Sequence, residues 1–327
     1  MIDFIEIKNY KCFEDTKIEG FERVNLIGGL NNAGKTVLLE ALHLGWENPN
    51  NKIALHRKLR GENENPHSYE YIFYKNNTNS NIEISFQDQG LFLGLNSNKV
   101  YDLAEVFKKK YRKYINNSQI RENDLSLAKI TVSTKFEKTP IDNFLAPSEI
   151  FNSERLVLDY NKIEEKGLDN KVLEFLQSID KSISDIRVSI QGGAHLRVKK
   201  GNDGIVPLTA LGDAAKRVAR IAITALSGDH KVIFIDEIEN GIHYTAHHEF
   251  WRLLFHLAQS LDLQVFATTH SLEMIKAFHS IAVEKEVKDA TYFELFRHGK
   301  TGKIVGKKQT IEKLTYKLDQ NLELRGE

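Results

Sequence analysis

One cysteine, Cys12, in 327 residues excludes a disulfide within the chain and a cysteine-based zinc site. No apolar run reaches the ~18 to 20 residues that a membrane-crossing helix needs, so no membrane partner is expected. The opening Met-Ile-Asp-Phe-Ile-Glu-Ile-Lys alternates apolar and polar residues and lacks the basic stretch and apolar run of a signal peptide. A reducing, cytoplasmic location is the expectation. Excess charge is missing too, because Lys plus Arg number 45 and so do Asp plus Glu. That balance gives no global case for a nucleic-acid partner, although it leaves room for a local patch. Sustained heptads are absent, which argues against a long coiled-coil arm.

What remains is an ordinary globular composition, 41% hydrophobic and 28% charged, in a length that allows one large domain or two modest ones. Phe4, Ile5 and Ile7 begin a strand. Val24, Leu26 and Ile27 form a second, short and apolar, that ends at Gly28-Gly29. The stretch Thr36 to Leu44 is apolar on more than one face and predicts a mostly buried helix. Tyr71 to Tyr74, Ile82 to Phe86 and Leu91 to Leu95 read as strands of a meander. Residues 100–127 are helical and charged, Lys129 to Phe136 reads as a strand, and 150–182 are helical again, with Val172, Phe175, Leu176 and Ile179 on one face. The last third alternates strand and helix, as a parallel sheet requires: a helix over Leu211 to Leu226, a strand over Lys231 to Asp236, a helix over 245–260, a strand from Gln264, and a helix from Ser271.

The sharpest motif is Gly29-Leu-Asn-Asn-Ala-Gly34-Lys35-Thr36, which matches G-x-x-x-x-G-K-[ST] between a strand and a helix. Glycines let the backbone wrap a phosphate so that several N–H groups point inward, and the helix that follows adds its positive dipole end. Gly29, Asn31, Asn32, Ala33, Gly34, Lys35, Thr36 and Val37 are therefore the candidate nucleotide-binding residues, with Lys35 on the β- and γ-phosphates and Thr36 on Mg²⁺. Val232-Ile-Phe-Ile-Asp236-Glu237 is a buried strand that delivers two acids to the sheet edge where ligands bind. Asp236 is the candidate for the Mg²⁺ shell and Glu237 for the general base that polarises water. Ala267-Thr-Thr-His270-Ser271 brings an imidazole to the same edge, where it can donate to the γ-phosphate.

Phosphate loop, acidic strand and histidine strand, in this order, resemble the ABC-type ATPase heads of the SMC, RecF-type and OLD-type families. Asn9-Tyr10-Lys11-Cys12-Phe13 and the Asn-rich loop Asn31-Asn32-Ala33-Gly34-Lys35-Thr36 strengthen the likeness to the smaller OLD-like "AAA family" ATPases. The resemblance implies an α/β P-loop NTPase of ABC/SMC-head type. It would have a mixed sheet, an antiparallel β meander and an inserted helical lobe, with the head over 1–98 and 185–327 and the lobe over 99–184. It implies ATP and Mg²⁺ as ligands, slow ATP hydrolysis between two heads, and a homodimer or higher homo-oligomer. It also implies a separately encoded effector, such as a nuclease, in antiphage defence or genome maintenance. By the same resemblance Lys11 touches the nucleotide, and Gln87 is a candidate for the family's glutamine loop at the metal.

The family's signature motif is matched in place by Leu211-Gly212-Asp213-Ala214-Ala215-Lys216-Arg217, but Gly212 stands at its serine and Ala214 at its second glycine. A helix N-terminus still offers N–H groups to an anion. The lost hydroxyl supports a second reading, a nucleotide-gated scaffold with little or no turnover. Lys216 and Arg217 are either compensating cations or a solvated face. Asn240-Gly241 fits the tight turn of a loop that crosses the dimer interface in the family.

Other features have bland readings. His243, His247 and His248 lack the partners of a known metal spacing and read as a surface helix with histidines. Lys108 to Lys113, interleaved with Tyr111 and Tyr114, fits either a nucleic-acid track or a charged solvated face, and Arg297 to Lys317 is a further basic stretch. No Asp-x-Asp pair and too few residues follow His270 for a Toprim nuclease domain, so no nuclease is expected in this chain. A GTPase switch is disfavoured by the absence of Asp-x-x-Gly and Asn-Lys-x-Asp.

Overall fold

The computed structural model describes residues 1–46, 74–77, 80, 82–86, 89–93, 143–147, 153–228 and 230–320. At its centre is a six-stranded sheet in the order β13-β12-β3-β11-β10-β6. These strands are β3 (Val24–Gly29), β6 (Phe144–Leu145), β10 (Val232–Ile235), β11 (Gln264–Thr268), β12 (Ala290–Arg297) and β13 (Ile304–Gln309). All neighbours are parallel except β13, which returns antiparallel to β12. Every residue of β3, β10 and β11 is buried, as expected of a parallel sheet covered on both faces.

The two faces can be read residue by residue. Leu26, Ile233, Ile235, Val265, Ala267 and Tyr292 point into one apolar cluster. Ile27, Val232, Phe234, Phe266 and Phe293 point into the other. The first cluster is closed by α2 (Ser153–Glu165), α3 (Asp169–Ile179), α4 (Asp213–Ser227), α5 (His247–Ser260) and α6 (Leu272–Glu284). The second is closed by α1 (Lys35–Trp46) and a four-stranded antiparallel sheet, β2-β1-β4-β5. Its strands are β1 (Phe4–Tyr10), β2 (Phe13–Glu19), β4 (Ile82–Phe86) and β5 (Gln89–Leu93). On that side Phe234 and Phe266, paired across adjacent strands, stack with ring centroids 5.6 Å apart.

Buried polar side chains tie the sheets together. Gln264 at the start of β11 is wholly buried and bonds both backbone groups of Ile2 (2.8 Å from its N–H, 2.7 Å to its carbonyl). It thereby fastens the chain leading into β1 to the central sheet. A third sheet, β7 (Ile183–Ser189), β8 (His195–Lys200) and β9 (Gly204–Pro207), lies beyond α3. Leu196 and Val198 of β8 and the apolar faces of α2 and α3 share the first cluster with α4 and α5, so these described helices of the expected lobe are packed on the head's own core. A final helix, α7 (Ile311–Asp319), is capped by the Thr310 side chain.

The α/β class, the mixed sheet and the antiparallel layer agree with the sequence reading. Several expectations change. Tyr74 opens a 3₁₀ turn (Tyr74–Asn76) rather than ending a strand. Of the strand expected over Leu91 to Leu95, Leu91 to Leu93 belong to β5, which begins at Gln89, and residues 94 and 95 lie outside the described residues. The strand over Lys129 to Phe136, the basic helix over 108–113 and Gln87 lie outside the described residues. His247 is not on a surface: it is 3% exposed in the first turn of α5, whereas His243 and His248 are exposed. The basic stretch after Arg297 is partly spent internally, with Lys308 on Glu22 at 2.8 Å and Lys317 on Glu294 at 2.6 Å. Among the described residues no helix is long and apolar enough to cross a membrane.

Candidate functional site

The C-terminal ends of β3, β11 and β10 lie side by side, with Thr268 level with Ile27 and Ala267 level with Ile235. Topology thus brings the phosphate loop, the two acids and His270 to one edge, although β11 enters the sheet from far along the chain. This is the switch-point position at which open parallel sheets hold ligands.

The phosphate loop leaves β3 through Gly29, whose φ of 145° is closed to ordinary side chains. A Cβ there would also lie 2.2 Å from the Leu295 carbonyl oxygen of β12. Gly34 has φ 91° and presses against Cys12 and Phe13, so the turn between β1 and β2 backs directly onto the loop. Asn32 sits at φ 63°, a conformation asparagine tolerates better than most residues. Lys35 opens α1 and is 4% exposed. Its ammonium donates to the Gly29 carbonyl at 2.7 Å and the Leu30 carbonyl at 2.9 Å. Burial pulls its pKa down to about 8, against the opposing pull of Asp236, Glu239 and Glu237.

Asp236 is held from two sides. Thr36 Oγ1 approaches its oxygens at 3.1 and 3.0 Å, and Thr268 Oγ1 donates to Oδ1 at 2.6 Å. Burial raises the carboxyl's pKa, and these two hydroxyls oppose that shift. The Thr268 hydroxyl also accepts the Glu237 N–H at 2.8 Å, so one buried side chain positions both acids. Glu237 is half-buried and takes a left-handed backbone, φ 48°, which is uncommon for a residue with a side chain and turns the chain sharply after β10.

Arg217, on α4, supports the same corner from beneath. It donates through Nη1 to the Ala146 carbonyl at 2.9 Å and through Nη2 to the carbonyls of Asp236 and Glu237, the latter at 3.2 Å. Burial lowers its pKa to about 10. Of the two readings left open for Lys216 and Arg217, the solvated face belongs to Lys216, which pairs with exposed Asp213 at 2.6 Å. Arg217 points inward.

His270 is half-buried, and its backbone N–H donates to Glu239 Oε1 at 2.6 Å. Ser271 follows and caps α6 by accepting the Met274 N–H at 3.1 Å. Gly241 lies against the backbone of Asp213 and Ala214, so the loop after the acids rests on the N-terminus of α4. Leu211 is half-buried there, while Gly212 and Asp213 face solvent. Gly212 supplies no side-chain cap. Lys11, on the turn behind the loop, is engaged with Glu40 of α1 at 2.9 Å in a pair 12% and 2% exposed. Burial pushes the pKa of the Cys12 thiol beside it up to about 11.

The structure thus gathers Lys35, Thr36, Asp236, Glu237 and His270, and adds Thr268, Arg217 and Glu239. The signal for Thr268 was the doubled threonine before His270. Arg217 stands out with Lys216 in the signature motif, but nothing local points to the corner it holds, and Glu239 has no local signal beyond its type. The arrangement offers a glycine-bearing loop leading into a helix N-terminus, a buried cation, and a carboxylate beside a hydroxyl. The carboxylate and the hydroxyl are hard oxygen donors of the kind Mg²⁺ takes, so Asp236 and Thr36 fit that ion.

Residues 24–276 match the family described as "AAA domain, putative AbiEii toxin, Type IV TA system". A Helicobacter pylori protein named ATP/GTP phosphatase is 27% identical over 338 aligned positions, covering 88% of this chain and 90% of that one. Among solved structures, an SMC head bound to the C-terminal winged-helix domain of ScpA superposes with a TM-score of 0.62 at 12% identity, covering 96% of this chain and 99% of that chain. The SMC head domain of Thermotoga maritima gives 0.52 at 14% identity, covering 94% and 98%. At such identities the structural likeness speaks to fold, and the fold is that of the SMC head. The chain belongs to the AAA-domain family whose description names the AbiEii toxin, and it is built as an ABC/SMC-type ATPase head.

Proposed function

We propose that this protein binds ATP with Mg²⁺, hydrolyses it slowly between two copies of the head, and uses the cycle to control a separately encoded effector. The observation that carries the reading is the placement of Asp236 between the hydroxyls of Thr36 and Thr268, at the mouth of the phosphate loop. In this reading phosphate oxygens compete with the Gly29 and Leu30 carbonyls for the Lys35 ammonium, while the N–H groups from Gly29 to Val37 line the phosphates. Thr36 and Asp236 hold Mg²⁺, which neutralises phosphate charge when bound. Glu237 accepts a proton from the attacking water, and His270 donates to the γ-phosphate.

The ATP/GTP phosphatase name of the Helicobacter pylori relative supports hydrolysis. The toxin–antitoxin system in the family's description supports a role in defence rather than housekeeping metabolism. The partner-bound SMC head supports a head that works with a second protein. A scaffold that binds ATP with little turnover is the second reading, favoured by the bare Gly212 at the N-terminus of α4.

Sedimentation of wild type and Glu237→Gln, with and without ATP and Mg²⁺, tests both when phosphate release is read on the same samples. ATP-driven assembly with turnover in wild type and an assembled, inactive mutant is the expected result. Fixed assembly with negligible phosphate release leaves the scaffold.

A further inference from the structure

Glu239 stands two residues beyond the proposed base and belongs to neither the phosphate loop nor the acid pair. Its Oε1 grips the His270 N–H at 2.6 Å, while its Oε2 is buried with no hydrogen-bond partner. The loop that carries it is tightly tied. Ile238, fully buried, donates to the Thr268 carbonyl at 2.9 Å, Asn240 N–H to the Glu237 carbonyl at 2.9 Å, and Ile242 N–H to the Glu239 carbonyl at 2.9 Å. The segment on the other side is fixed at Thr269, whose N–H meets the Ile27 carbonyl at 2.9 Å. His270 is the first residue beyond that anchor, and the Glu239 carboxylate is what fastens its backbone to the base's own loop.

A buried acceptor left without a partner costs about 1–3 kcal/mol. An unpartnered buried carboxylate oxygen at a site calls for a functional account. Glu239 is also among the acids whose charge bears on the Lys35 ammonium, which places it in the electrostatic field of the phosphate loop.

We propose that Glu239 is a positioning residue for ATP hydrolysis: by holding the His270 backbone to the loop of Glu237, it sets imidazole and base at a fixed separation and acts on the chemistry through His270. The proposal rests on the hydrolytic reading above.

The test is a mutant cycle on the full chain, with steady-state ATP hydrolysis and ATP binding measured for wild type, Glu239→Ala, Glu239→Gln, His270→Ala and the Glu239→Ala/His270→Ala pair. Glu239→Ala lowers kcat by about 10- to 100-fold, the scale of a misplaced catalytic group, with KM within about threefold. Glu239→Gln keeps an amide oxygen for the His270 N–H and stays within about threefold of wild type. The double variant is no slower than His270→Ala alone, because the two residues act as one unit. If Glu239→Ala does not fold, Glu239→Asp, which keeps the charge but withdraws it by one methylene, carries the same expectation as Glu239→Ala.

Additive losses in the double variant overturn the proposal, as does a Glu239→Gln protein as slow as Glu239→Ala. A slow His270→Ala beside a Glu239→Ala of wild-type rate overturns the role of Glu239 alone. A wild type without turnover, or a His270→Ala of wild-type rate, overturns the hydrolytic reading of the site and this proposal with it.

Discussion

The Thr268 hydroxyl links both acids of the site, donating to Asp236 and accepting from Glu237 within a wholly buried side chain. Replacing it by alanine leaves a buried N–H and a carboxylate oxygen short of a partner, at about 1–3 kcal/mol. Chemical denaturation should therefore show Thr268→Ala destabilised by that amount and Thr268→Ser near wild type. An alanine variant as stable as wild type would mean that water replaces the hydroxyl. Gly212 offers the opposite experiment. Its φ of −59° suits any residue, and a Cβ built there meets nothing within 4 Å. Gly212→Ser restores both the hydroxyl of the family's signature and a helix cap, with a stability gain of only a few tenths of a kcal/mol or about that. Turnover should rise; an unchanged rate would show that the missing hydroxyl is not what limits hydrolysis.

At the scale of elements, legibility followed locality. The phosphate loop, β10 and the start of α6 could be read because their signals are contiguous: glycines at fixed offsets, four apolar residues before two acids, a capping serine. The buried role of Arg217 could not be read, since two of its three acceptors lie in the turn just past β10 and the third in the chain leaving β6. Strand β12 was missed although its Tyr292 and Leu295 contact Gly28 and Gly29. Its buried Glu294 reads against a core strand, and the compensating partners, Lys317 at 2.6 Å and Gln309 at 3.1 Å, come from later elements. His247 was misread because a helix start rich in histidine and glutamate looks solvated. Its ring instead meets the Ile242 carbonyl at 3.0 Å through Nε2, leaving Nδ1 buried without a partner.

Burial lowers the His247 pKa below its ordinary value near 6.5, so the unfolded chain takes up a proton before the folded one does. Stability is then fully present above about pH 6.5 and is lost as pH falls from there towards the lower folded pKa. His279, also lowered by burial, adds to the same slope. Urea midpoints between pH 7 and pH 5 should fall less steeply for His247→Gln than for wild type; identical slopes would refute the assignment.

For the whole molecule, the proposed cycle makes activity a property of pairs. Phosphate release per protein should climb with protein concentration and level off once heads are assembled, and Glu237→Gln should hold ATP in the assembled form. A specific activity independent of concentration over a hundredfold range would point to a head that works alone. The mixed sheet lies between an antiparallel layer and a helical layer, so both of its faces are covered without a partner.

The position of β11 between β3 and β10 has a consequence for synthesis. The phosphate loop leaves the ribosome well before its neighbouring strand β11, and β12, whose Leu295 carbonyl backs Gly29, comes later still. A nascent chain carrying Lys35 and even Glu237 therefore lacks the strands that flank its loop. In the proposed cycle nucleotide capture waits until β11 and β12 have been made, so chains that stop short of them cannot enter it.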